Sequence, residues 1–270
     1  MNKKIIFLDC DGTIFDVPRN MPHISEKTGY AIKELIKNGH IVFIASGRCK
    51  CILPSEVVEL NPSGYITCNG AYCYTKDKLI YCDNVDEKLV LEFKDYCKKN
   101  KGVYFLETPE NIYVEDLNNP VFKEFVNTWG IGFDCFREDI KDISETQMMM
   151  SAFRSEEECD RFEELFKDKF DVNKQYGFTS FDVSQKEIDK GKGVRKVIEY
   201  YGLSIEDAYA FGDGLNDIGM LKAVKNSYCM ANGNPKTKMV AKYIAPDVLD
   251  DGFYFTMVDL GLIDPIMKKM

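Results

Sequence analysis

Lys4-Ile5-Ile6-Phe7-Leu8-Asp9-Cys10-Asp11-Gly12-Thr13 sets four consecutive apolar residues directly against an Asp-x-Asp-Gly turn. A short apolar run without polar alternation reads as a strand covered on both faces, and such strands belong to parallel sheets. The next stretches repeat the arrangement. Ser25 to Lys37 places Ala31, Ile32, Leu35 and Ile36 on one helical face, with Gly39 positioned to stop it. His40 to Ala45 is a second buried strand ending in Ser46-Gly47-Arg48, and a short helix over Ser55–Leu60 leads to a third, Gly64–Cys68, ending in Asn69-Gly70. Strand, helix, strand with a polar loop after each strand predicts a Rossmann-like, doubly wound parallel α/β core.

The pattern changes near residue 80. Val85, Leu89, Phe93 and Cys97 mark one amphipathic helix, Phe122, Phe125, Val126 and Trp129 a second, and Cys159, Phe162, Leu165 and Phe166 a third. Strand-like pieces lie between them at 103–106, 111–114, 147–153, 170–172 and 178–183, with Met148-Met149-Met150 read as strand core. An inserted α+β cap domain over residues 83–184 is the expectation, with the core formed by 1–82 and 185–270. The α/β pattern resumes with a helix from Gly191 to Tyr201, stopped by Gly202, and a strand Ala208–Phe211 that runs into Gly212-Asp213-Gly214-Leu215-Asn216-Asp217.

Composition narrows the function classes. The 270 residues are 45% hydrophobic with a net charge of −9, which disfavours nucleic acid and anionic membrane as partners. The acidity is concentrated: residues 83–182 hold 24 acidic and 13 basic side chains. Such a cap repels a polyanion but tolerates a small phosphorylated molecule. With only His23 and His40, a His-rich metal centre has little to build on. Four apolar residues before Asp9 are too few for a signal peptide, and no apolar run reaches membrane-spanning length. The 10 cysteines are therefore expected to be reduced thiols of a cytoplasmic protein, mostly buried, with Cys49-x-Cys51 alone a weak metal signal.

Four polar clusters follow predicted core strands or open a helix: Asp9-Cys10-Asp11-Gly12-Thr13, Ser46-Gly47-Arg48, Lys190-Gly191 and Gly212 to Asp217. Ligands of open parallel sheets bind at the carboxyl ends of strands. Together the clusters resemble the haloacid dehalogenase superfamily of phosphohydrolases. The insertion size, Ile66-Thr67-Cys68-Asn69-Gly70-Ala71 and Asp250-Asp251-Gly252-Phe253 are similar to its Cof-type branch, subclass IIB, with a large α/β cap. The likeness covers the core; in the cap it is one of length and element order.

Physical chemistry points the same way. A phosphate ester carries about two negative charges near neutral pH, so attack by a carboxylate needs that charge neutralised. A hard cation, Mg²⁺, does so with a few carboxylates, substrate oxygens and water. Asp9 and Asp213 at adjacent strand ends would hold it, and the resemblance implies the backbone carbonyl of Asp11 as a further ligand. Asp9 would then be the nucleophile forming an aspartyl-phosphate, and Asp11 the acid and base. Gly12 allows the turn. Taken alone, Asp-x-Asp-Gly could equally be a capped turn.

Ser46 and the Gly47 amide suit phosphate oxygens, although a lone serine there reads first as a helix cap. The Cys10 amide would be a further phosphate donor, and the direction of Arg48 is open. Lys190 would meet phosphate beside a helix N-terminus; Lys186 and Lys192 compete, and Lys-Gly before an amphipathic helix matches the family pattern. Asn216 would hydrogen-bond phosphate, and Asp217 would support the metal or the lysine. Tyr104, Tyr113 and Phe178 are candidate entrance residues. The expected activity is a Mg²⁺-dependent phosphatase for a small phosphorylated metabolite, acting as a monomer or weak homodimer with specificity set by the cap. A sugar phosphomutase and a non-catalytic phosphometabolite sensor are the rival readings.

Overall fold

The computed structural model describes residues 3–129, 132–138, 142–175 and 178–266. Its first third contains β1 (Ile5–Leu8), α1 (Glu26–Lys37), β2 (Ile41–Ala45), α2 (Ser55–Glu59), β3 (Gly64–Thr67), β4 (Tyr72–Tyr74) and β5 (Leu79–Cys82). Then come α3 (Glu87–Lys99), β6 (Val103–Glu107), β7 (Ile112–Val114), α4 (Pro120–Trp129), β8 (Phe136–Glu138), β9 (Met148–Ala152), α5 (Glu156–Phe166), β10 (Phe170–Lys174) and β11 (Ser180–Gln185). The last third holds α6 (Lys190–Tyr201), β12 (Ala208–Gly212), α7 (Ile218–Ala223), β13 (Asn226–Met230), α8 (Pro235–Val240), β14 (Tyr243–Ala245) and α9 (Gly252–Asp259).

Two sheets result, in two units. One unit comprises the chain up to Gly47, Pro54–Tyr81 and everything from Asp189; the other comprises Arg48–Leu53 and Cys82–Ile188. The first sheet has the order β14-β13-β12-β1-β2-β3-β4-β5. Its strands from β14 to β3 are parallel, and β4 is antiparallel to β3. This is the Rossmann-like α/β core.

Burial explains why β1 is central. Its four residues are fully buried, and Phe7 packs on Phe43 with ring centroids 6.1 Å apart. Val194, Val197, Met220 and Leu221, from α6 and α7, close over Ile5, Phe7, Phe43 and Ile66. Each such side chain removed from water contributes roughly 1.5–3 kcal/mol. α6 starts at Lys190, one residue before the predicted start, because the Asp189 carboxylate caps it by accepting from the Lys192 amide at 2.7 Å. Gly202, at φ +62°, ends it.

The second unit carries the sheet β10-β11-β9-β6-β7-β8, antiparallel except where β7 meets β8. Phe93 and Cys97 of α3 and Phe162 and Phe166 of α5 pack against Leu106, Met149, Phe181 and Val183. Phe122 of α4 packs on Phe105 and Phe136 instead, with ring centroids 6.0 and 5.1 Å away. The side chain of Trp129 lies outside the described residues. Met148, Met149 and Met150 are buried strand residues.

Tyr104 is only 5% exposed within the core of this unit, and Tyr113 packs against that same core. Phe178 is half-buried between β10 and β11. Among the described residues no helix is long and apolar enough to cross a membrane.

Candidate active site

Strand register assembles the site. Leu8 of β1 lies level with Phe211 of β12 on one side and Ile44 of β2 on the other. The chain therefore delivers Asp9, Gly212-Asp213 and Ser46 to the same sheet edge, on either side of the point where strand order reverses. The Asp9 amide donates to the Phe211 carbonyl at 3.0 Å, which continues the ladder into the loop.

Lys190 is the centre of the arrangement. Its ammonium is fully buried and lies 2.5 Å from Asp9 Oδ1 and 2.7 Å from Asp217 Oδ1. Asp217, also fully buried, accepts from the amides of Asp213 and Gly214 on Oδ2, both at 2.9 Å. Both oxygens of Asp217 are thus engaged, one by the lysine and one by the loop that carries Asp213. Lys192, two residues on, stacks its ammonium over Tyr81 instead.

Asp9, Asp213 and Asp217 are the group, among the described residues, whose possible ligand atoms all lie within 4.8 Å of one another. Burial and the charge of Asp217 push Asp9 up to about 7 against the opposing pull of Lys190. Burial and the two neighbouring carboxylates push Asp213 up to about 9. Such a crowd of carboxyls costs energy unless a cation offsets it. With Asp217 engaged, Asp9 and Asp213 are the side chains suited to hold one, and an all-oxygen donor set fits Mg²⁺.

Gly12 makes this packing possible. It stands at φ +81°, and a Cβ there would fall 2.3 Å from Asp213 Oδ2. Asn232 fixes the same turn by donating to the Gly12 carbonyl at 2.7 Å. The Cys10 carbonyl accepts from the Thr13 and Ile14 amides and closes the loop. Asp11 is exposed at this edge, and its carboxylate stands outside the three-carboxylate group.

Ser46 is 1% exposed at the end of β2. Asn216 donates through Nδ2 to Asn69 Oδ1 at 3.1 Å, and Gly47 lies against both amides. Arg48 falls in the other unit. The sequence did not mark Asn232, Thr237 or Asn69 as part of the site. Thr237 donates to the Gly214 carbonyl at 2.8 Å. Asn232 could have been found by the strand-end rule, since it follows the buried strand β13.

The sequence profile of the haloacid dehalogenase-like hydrolases matches residues 6–257. The chain belongs to that family. Its similarity to individual members extends over most of the chain. It is 29% identical over 267 residues to a Bacillus subtilis protein named "Putative phosphatase YkrA", covering 97% of this chain and 100% of that one. It is 28% identical over 261 residues to the B. subtilis 5-amino-6-(5-phospho-D-ribitylamino)uracil phosphatase YcsE, covering 92% of each. Among solved structures, the subclass IIB sugar phosphatase BT4131 superposes with a TM-score of 0.82 at 29% identity, covering 97% of this chain and 100% of that one. The present haloacid dehalogenase-like hydrolase is accordingly a phosphatase of the Cof type.

Proposed function

We infer that the chain is a Mg²⁺-dependent phosphomonoesterase for small phosphorylated metabolites that works through an aspartyl-phosphate on Asp9. The observation that carries this reading is the buried Lys190 ammonium held between Asp9 and Asp217, with Asp213 beside them. A solvated turn needs no buried lysine. A carboxylate that must approach a dianion does, because the positive charge opposes the protonation that burial favours at Asp9.

Asp9 attacks phosphorus while the bond to the leaving oxygen breaks. Asp11, exposed at the rim, gives its proton to that oxygen. Asp11 then takes a proton from a water molecule that attacks the phosphorus, and the bond to Asp9 breaks, releasing phosphate and restoring both carboxyls. The Ser46 hydroxyl and the Gly47 and Cys10 amides, together with Asn216, hold the phosphoryl oxygens. Asp9 and Asp213, with the Asp11 carbonyl, would hold Mg²⁺, which would supply neutralising charge.

The test is phosphate release from para-nitrophenyl phosphate with and without EDTA. A panel of sugar phosphates, phosphorylated cofactors and 5-amino-6-(5-phospho-D-ribitylamino)uracil follows. Mg²⁺-dependent phosphate release and a covalent adduct on the peptide containing Asp9 are the expected results. An isomeric sugar phosphate as product would indicate a mutase, and binding without turnover a sensor.

A further inference from the structure

Cys68, Asn69 and Gly70 are three consecutive residues with positive φ, at +51°, +50° and +103°. Glycine adopts this region freely and asparagine tolerates it, but cysteine does not. Backbone held this way persists where surrounding contacts dictate it, and such sites concentrate at functional centres. The turn follows β3 and is buried, with Cys68 1% and Asn69 4% exposed.

Its contacts reach three of the four polar clusters. The Asn69 amide donates to the Ser46 carbonyl at 3.3 Å. Asn69 Oδ1 accepts from Asn216 at 3.1 Å and lies 3.1 Å from where a Cβ on Gly47 would be. Gly70 sits so tightly on the start of α6 that a Cβ would fall 2.1 Å from the Asp189 carbonyl and 3.1 Å from Lys190 Cα. An αR or extended turn at these positions would break all three contacts together.

We propose that Asn69 is a positioning residue for phosphoryl binding, locking the Asn216 amide to the Ser46-Gly47 loop so that both address one phosphate. The proposal rests on the phosphatase reading above. It assigns Asn69 no contact with the reacting atoms. One N–H of Asn216 is committed to Asn69, so the Asn216 side chain is held in this orientation while Asn69 is in place.

Asn69→Gly removes the amide and keeps the backbone conformation permitted. The KM for para-nitrophenyl phosphate and the inhibition constant of inorganic phosphate should rise together by about tenfold, the scale of one charge-assisted contact. The midpoint for Mg²⁺ activation and the melting temperature should hold, which a general loosening of the fold would not allow. Adding Asn69→Gly to Asn216→Ala should cost little more than Asn216→Ala alone, because the two act as one unit.

Phosphate inhibition within twofold of wild type, or losses that multiply in the double variant, would overturn the proposal. If Asn69→Gly does not fold, Asn69→Ala removes the same accepting oxygen at a modest left-handed backbone cost. It should weaken inorganic phosphate at least tenfold, and unchanged inhibition overturns the proposal equally. Wild-type protein that binds inorganic phosphate in calorimetry but releases none from esters would fail the phosphatase reading alone. The Asn69→Gly loss is then read on the calorimetric affinity. Wild-type protein that binds no phosphate overturns both.

Discussion

Lys190 and Asp217 form an ion pair of 2.7 Å in which neither side chain is more than 1% exposed, and Asp9 completes it from the neighbouring strand end. A buried pair of this kind adds little by itself, but removing one partner leaves uncompensated charge. Lys190→Met should therefore abolish turnover and also destabilise the fold by roughly 3–5 kcal/mol in urea unfolding. Adding Asp217→Asn should recover part of that stability and none of the activity. A Lys190→Met protein as stable as wild type would show that the ion pair is not what holds this site.

Asp9 and Asp11 are neighbours with opposite environments, one buried and one exposed, and their substitutions should separate accordingly. Asp9→Asn should remove all measurable turnover, because it takes away the proposed nucleophile. Asp11→Asn should keep the wild-type melting temperature and slow both formation and hydrolysis of the adduct by about 10²–10⁴-fold. Rapid-quench single-turnover kinetics with para-nitrophenyl phosphate distinguish the two. Unchanged single-turnover rates in Asp11→Asn would remove it from the acid and base role.

Gly12→Ala tests the close approach of two loops. The added methyl meets the Asp213 carboxylate and the backbone is held at φ +81°, a strain on the order of 1–3 kcal/mol. The chain can relieve it by moving Asp213 away from Asp9. The half-saturating Mg²⁺ concentration should rise at least about tenfold, which corresponds to the lower part of that energy range. EDTA should abolish wild-type turnover and added Mg²⁺ restore it.

How far the sequence revealed this architecture depended on the physical length scale of each signal. The run Ile5–Leu8 and the Asp-rich loops were legible because central parallel strands must be apolar throughout and their loops must be polar. α9 was missed because it has no polar face to define a stripe: Phe253, Tyr254 and Met257 are all buried. β4, β5 and β8 are three or four residues long, too short for a period to show. Asn69 and Asn232 were missed for a different reason. Their side chains meet residues far away in sequence, Asn69 with Asn216 and Asn232 with Gly12 and Val248, and those partners are known only from the assembled sheet.

Glu107 provides a pH-dependent prediction outside the carboxylate centre. It is 3% exposed at the end of β6, and burial, reinforced by the charge of Asp182, pushes it up to about 8, while a hydrogen bond from Cys49 opposes the shift. In the unfolded chain it titrates in the ordinary glutamate range. Between the two values the folded protein keeps a proton that the unfolded chain has released. Stability from this group is thus fully present in acid and is lost as pH rises towards about 8. Glu107→Gln cannot lose that proton and preserves the neutral shape. Melting temperatures of the two proteins should converge near about pH 4.5 and separate progressively up to about pH 8, with the variant the more stable. Parallel melting curves across that range would mean that Glu107 is ionised in the folded protein and balanced by a cationic partner.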